Sequence, residues 1–258
     1  MKRHLLIIDP QEDFCNPHSG ALFVAGAEAD ISRIAALVQR TEFSAIHVTL
    51  DTHHLLDIAH PLWWGDTDGN PPAPFTIIET KTRTLWHAAN PAHQERSVAY
   101  VAALARNGRY PLCIWPPHCL IGSAGHAVAA ELFAALCAWE TRTGRSVDYI
   151  RKGENPFTEH YSAIAADVPD PEDASTLPNH SLLAALSQAD EILICGEAGS
   201  HCVASTVRDL VRHGIPAQKL TLLTDGFSPV PGFTHLQDAF LADLKAAGAR
   251  LTTTEEIK

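Results

Sequence analysis

The chain has 258 residues, 46% hydrophobic and 19% charged, with a net charge of −11. That length holds one substantial core, the acidic balance argues against nucleic acid and anionic membrane as partners, and no apolar run approaches the roughly 18–20 residues of a membrane span. Six cysteines without close-set pairs do not make a disulfide framework, so a cytoplasmic protein with reduced thiols is expected.

The apolar run from His4 to Ile8 predicts a first strand, with Asp9 directly behind it. A carboxylate at the carboxyl end of a buried strand is partly desolvated, which raises its pKa and suits it to proton transfer. A turn or helix-capping Asp is the alternative. Helical periodicity follows from Ala29 to Arg40. A second strand, Ala45 to Leu50, ends in Asp51, with His53, His54, Asp57 and His60 behind it. One carboxylate with imidazoles two and nine residues later has metal-ligand chemistry, and His118 in Trp115–Cys119 adds to it. Polar loop histidines would give the same pattern.

Between Pro61 and Pro117 the rhythm breaks, with one helix-like stretch from about Gln94 to Asn107. A long irregular stretch in a compact domain is more often functional than idle. Alternation resumes with a helix over Gly125–Thr143 and a strand over Ser146–Ile150, followed by Lys152. A helix over Ser181–Ala189 leads to the strand Glu191–Cys195, which breaks at Gly196 and Gly199. The next helical pattern begins near Cys202, and its apolar positions include Val203, Val207, Leu210 and Val211. This puts a thiol at a helix N-terminus, where free N–H groups and the dipole favour a thiolate and could hold an oxyanion. A small core cysteine is the plainer alternative. A strand over Lys219–Thr224, a helix over Thr234–Ala247 and a strand over Arg250–Thr254 complete the chain. Strands that are continuous apolar runs, alternating with helices, predict a three-layer α/β fold with a mostly parallel sheet covered on both faces. Ligands bind beyond the carboxyl ends of such strands, so Asp9, Asp51, Lys152 and Cys202 should lie on one side.

Five segments carry a resemblance: Ile7–Phe14, Leu50–His53, Trp115–Cys119, Arg151–Gly153 and Gly196–Val203. In this order they are similar to the cysteine hydrolases of the isochorismatase-like superfamily, the nicotinamidases in particular. The resemblance spans residues 5 to about 230. It implies a flavodoxin-like sheet; the length reads as a single domain, and the region around 61–114, longer than in compact nicotinamidases, departs from the family as an insertion expected to shape the pocket. It also implies a triad of Asp9, Lys152 and Cys202: Cys202 attacks an amide carbonyl, Asp9 moves the proton, and water hydrolyses the thioester. Backbone N–H groups of Ala198 and Cys202 would form an oxyanion hole beside a cis peptide at Glu197–Ala198. Phe14, Trp115 and Tyr161 match aromatics that flank the substrate ring.

A divalent metal (Zn, Fe or Mn) is implied on Asp51, His53 and His118, with His60 as further ligand and His54 competing for that place. No organic cofactor is implied, and the expected partners are a small-molecule amide and further copies of the chain in a homo-oligomer. Glu197 and Ser200 depart from the apolar and acidic residues common in small nicotinamidases. Nicotinamide, another small amide, and a ureido or N-carbamoyl compound therefore all stay open as substrates. Vinyl ether hydrolysis would leave the thiol without work. A non-catalytic binding module is the reading from a different class. A low-pKa Cys202 is expected to be alkylated by iodoacetamide before the other five cysteines.

Overall fold

The first strand owes its place to having no solvent side: Leu5, Leu6, Ile7 and Ile8 are all fully buried. The computed structural model describes residues 1–258, apart from the side chain of Arg83. In chain order the elements are β1 (Arg3–Ile8), α1 (Glu12–Cys15), α2 (Ala27–Arg40), β2 (Ala45–Asp51), β3 (Trp64–Gly65), β4 (Ile77–Ile78) and β5 (His87–Ala88). They continue with α3 (Gln94–Arg106), β6 (Leu112–Cys113), α4 (Ala130–Thr143), β7 (Asp148–Lys152), α5 (His180–Ser187) and β8 (Glu191–Gly196). The last are α6 (Cys202–Arg212), β9 (Leu220–Leu223), α7 (Thr234–Ala246) and β10 (Arg250–Thr252).

Six strands form one sheet in the order β10-β9-β8-β1-β2-β7. Every pairing in it is parallel. From β1 the chain builds outward through β2 to β7, then returns to the other side of β1 for β8, β9 and β10. The direction of winding therefore reverses between β1 and β8, the kind of point where α/β sheets open a crevice at their carboxyl ends. The expected α/β fold is present. Gly196, at the end of β8, has φ +109°, and a Cβ there would collide with the backbone of Ile8. Only glycine lets the two central strands stay this close where they end.

Two of the boundaries that differ from expectation bear on the site. The strand predicted over Ser146–Ile150 runs from Asp148 to Lys152, because the Val147 N–H is taken by the Glu140 side chain at 2.7 Å. Lys152 is thus the last residue of the strand rather than a residue behind it. The helix predicted from Gly125 begins at Ala130. Before it, Val128 bridges to Gln11 and the Ala129 N–H donates to the Pro10 carbonyl at 2.8 Å, which holds the chain extended.

Residues 61–114 are anchored rather than loose. Besides α3 they contain two antiparallel ribbons, β3 with β5 and β4 with β6. Trp63 and Trp64 are buried, and their ring N–H groups donate to Ser97 Oγ (2.9 Å) and the Ile58 carbonyl (2.7 Å). Among the described residues no helix is long and apolar enough to cross a membrane.

Candidate active site

Asp9, Asp51, Lys152 and Cys202 come from four different segments and meet where β1, β2, β7 and β8 end. Lys152 is at the centre. Its Nζ lies 2.8 Å from Asp9 Oδ2 and 2.9 Å from Asp51 Oδ1, 2.9 Å from the His160 carbonyl and 3.7 Å from Cys202 Sγ. Carboxylate oxygens of Asp9 and Asp51 and the sulfur of Cys202 lie within 4.8 Å of one another. All four residues are buried. Burial alone would lower the Lys152 ammonium, but Asp51 and Asp9 outweigh it and hold its pKa well above the usual lysine value. Asp9 is moved up by burial, with Lys152 opposing. Its Oδ1 accepts from Thr49 Oγ1 at 2.5 Å, and its own N–H donates to the same oxygen.

Cys202 departs from expectation. Burial pushes its thiol well up, the Asp9 and Asp51 carboxylates add to this, and Lys152 opposes only in part. A helix terminus acts through partial charges within one turn, which is too little against desolvation and two carboxylates. The resting site holds a thiol beside a base. Cys137 is the exposed cysteine, so simple alkylation should reach it before Cys202.

Glu197–Ala198 is a cis peptide. Among the described residues, neither the Ala198 nor the Cys202 N–H has a hydrogen-bond partner, and Cys202 is the first residue of α6. Two unpaired donors thus flank the sulfur. Glu197 itself points away, fully buried, with Oε2 accepting from the Ser228 N–H at 3.3 Å. Burial, and then Asp30, hold its pKa well above the usual carboxyl range. An acid whose pKa is raised on folding adds stability at low pH and loses it as pH rises through the folded value. Glu197→Gln should therefore gain thermal stability relative to the wild type as pH goes from 5 to 9. Parallel melting curves across that range would exclude this.

A second cluster adjoins the first. His53 Nε2 and His118 Nε2 lie 3.1 and 3.4 Å from Asp51 Oδ2. His60 is fully buried, its ring 5.2 Å from that of His53 and 5.6 Å from that of His118, and its Nε2 has no partner. Each Nδ1 faces an acceptor: Asp57 for His53, the Pro116 carbonyl for His118, and the His54 and Leu55 carbonyls for His60. This turns each Nδ1 to an acceptor and leaves Nε2 as the nitrogen that a neutral imidazole would offer to a divalent cation. Burial would lower His53, but Asp51 and Asp57 hold it well above its usual pKa. A positive charge is favoured here. His54 is exposed, and its carbonyl faces His60 Nδ1 at 3.1 Å.

Phe14, Trp115 and Tyr161 line a pocket together with Asp51, His118, Ala198 and Cys202. The Trp115 ring N–H donates to the Tyr161 hydroxyl at 2.9 Å. The pocket is nearly closed, with about 20 Å³ of free space, so side chains must give way to admit a ring. A larger groove of about 750 Å³ lies along Glu12, His126, Phe133 and Tyr149, but none of the catalytic candidates lines it. Two further polar pocket residues, Glu159 and His201, were not singled out in the sequence: Glu159 lies in no matched segment, and His201 lies within Gly196–Val203 but ends no predicted strand. Burial raises Glu159 to about 8, and its Oε2 has no partner.

No family model matches the chain. It is 26% identical to the nicotinamidase of Escherichia coli K12, over 97% of this chain and 94% of that protein. To the nicotinamidase/pyrazinamidase of Mycobacterium tuberculosis it is also 26% identical, over 88% of each chain. Over nearly its whole length the chain is thus similar to nicotinamidases. PnC1 from L. infantum, solved in complex with nicotinate, superposes with a TM-score of 0.63 at 25% identity, covering 98% of this chain and 93% of the other. The chain therefore shares its fold with that protein across nearly its whole length.

Proposed function

We propose that the protein is a cysteine amidohydrolase that converts a small heteroaromatic carboxamide, nicotinamide or a close analogue, to the acid and ammonia. The observation that carries this reading is the Lys152 ammonium, held between Asp9 and Asp51 beside the Cys202 sulfur. As Cys202 attacks the carbonyl carbon, Asp9 takes the thiol proton, and Lys152 keeps the base in place. The free N–H groups of Ala198 and Cys202 receive the developing oxyanion. The C–N bond breaks as Asp9 passes the proton to the amine, and ammonia leaves. Water then attacks the thioester, Asp9 again taking a proton, and the acid departs as the thiol is restored.

The activities of the relatives, nicotinamidase and pyrazinamidase, and the nicotinate in the L. infantum complex support an aromatic amide. So do the walls of Phe14, Trp115 and Tyr161. Phe75 and Tyr110 pack edge-on against Trp115 and His201, which supports a pocket-shaping role for residues 61–114. The fold is read as a single domain. All six cysteines are unpaired, and a thiol nucleophile works in reducing surroundings, which supports a cytoplasmic enzyme.

Asp51, His53, His60 and His118 would hold a divalent metal such as Zn²⁺, Fe²⁺ or Mn²⁺. Such an ion supplies Lewis acidity to a ring nitrogen or water. Protein purified without chelator should carry about one metal per chain, and His53→Ala should carry none, as read by elemental analysis. A metal-free wild type that takes up no added ion would end this part of the reading and leave the cysteine chemistry standing. For the function itself, ammonia release should be measured across a panel of aromatic and ureido amides. Turnover confined to ureido compounds would replace the substrate class.

A further inference from the structure

We propose that Ser200 fixes His201 as a hydrogen-bond donor in the pocket wall, and that this donor selects heteroaromatic carboxamides with a second acceptor on the ring. The inference deepens the amidohydrolase reading and rests on it for the substrate class. Ser200 is fully buried. Its Oγ receives the Val230 N–H at 3.0 Å and lies 2.8 Å from His201 Nδ1. The Val230 N–H takes one lone pair of the hydroxyl, and Nδ1 is the one acceptor facing the hydroxyl proton among the described residues, so the arrangement that satisfies both groups has Ser200 donating to Nδ1. A ring whose Nδ1 accepts must carry its proton on Nε2.

Burial pushes His201 down to about 3, so the ring is neutral at physiological pH, with one donor and one acceptor. The acceptor is used by Ser200. The remaining Nε2–H has no protein partner among the described residues, and the ring lines the pocket with Cys202, Trp115 and Tyr161. Ring flips are blocked by edge-on contacts with Trp115 at 5.2 Å and Phe233 at 4.9 Å. The Tyr110 hydroxyl, which accepts from Arg208 Nη1 at 2.9 Å, donates to the Ser200 carbonyl at 3.2 Å and fixes the backbone as well.

The His201 ring packs against Trp115, Tyr161 and Phe233, and Phe14, Leu22 and Val230 add apolar lining to the same pocket. An N–H donor shut into such a pocket is left unsatisfied by a ring C–H and satisfied by a ring nitrogen. Differences of this kind discriminate more strongly than the fit of a methylene.

Two measurements test this. The first is ¹⁵N-resolved NMR of histidine-labelled protein, with the His201 signal assigned by its loss in His201→Phe. Nε2 should be protonated and Nδ1 bare, and Ser200→Ala should give a mixture of tautomers. The second is kcat/KM for pyrazinamide, with two ring nitrogens, and nicotinamide, with one. His201→Phe should lower the pyrazinamide-to-nicotinamide ratio about tenfold, mainly through KM, the size expected for one hydrogen bond. A protonated Nδ1 in the wild type overturns the proposal, and so does an unchanged ratio in His201→Phe. If the wild type hydrolyses neither amide, the heteroaromatic reading falls and the selection with it, while the NMR result still decides whether the donor exists.

Discussion

Cys202→Ala should reduce amide hydrolysis by about 10⁴- to 10⁶-fold with the fold intact, the scale seen when a nucleophile is removed from a catalytic unit. The Cys202 side chain is small and sits at the first residue of α6, so losing the sulfur leaves little cavity. Circular dichroism and the melting temperature should stay close to the wild type. Activity within tenfold of the wild type would rule out thiol chemistry. Cys119 is the control. It is fully buried next to His118, and its N–H donates to Asp13 Oδ2 at 2.6 Å. Its thiol is also raised, by burial first and then by Asp51 and Asp13. Cys119→Ser should be far milder, because Cys119 lies beside His118 rather than at a helix start and does not line the pocket that holds Cys202.

Lys152→Met should damage both activity and stability. Wild-type Lys152 neutralises two buried carboxylates at once, and without it Asp9 and Asp51 face each other uncompensated. Breaking a buried pair by removing one partner costs about 3–5 kcal/mol, which a denaturant titration reads directly. Asp9→Asn removes one of the two charges that Lys152 balances. The double variant should therefore be more stable than Lys152→Met alone and no less active than the worse single variant. Strictly additive losses in turnover would show that the two residues do not act as a unit.

Much of this site could be read from the chain because its residues end strands. The apolar runs at Leu5–Ile8, Ile46–Leu50 and Ile192–Cys195 are buried strands, and a polar residue after such a run has few other places to go. The misplaced boundaries arise where a single tertiary contact overrides local pattern. Ser146-Val147 has strand composition, yet the Glu140 side chain captures Val147. The thiolate expectation for Cys202 weighed the helix terminus and left out the carboxylates, which come from residues 9 and 51 and were not yet placed beside the sulfur. The choice between His54 and His60 needed the turn at Asp57, whose carboxylate accepts from both His53 and Ala59. Glu159 and His201 needed the closed pocket itself, since only their burial beside Cys202 gives them meaning.

The central position of β1 also bears on how the enzyme acquires activity. Its partners on either side start at Ala45 and Glu191, so one neighbour lies close along the chain and the other almost at its far end. Pairings this distant in sequence form slowly, because a long loop must close before the contact repays it. Asp9 and Cys202 meet only through that second pairing. On refolding from denaturant, secondary structure should therefore return first and turnover last, with no partly active species on the way. A protein read out by its activity would report completion of the whole sheet.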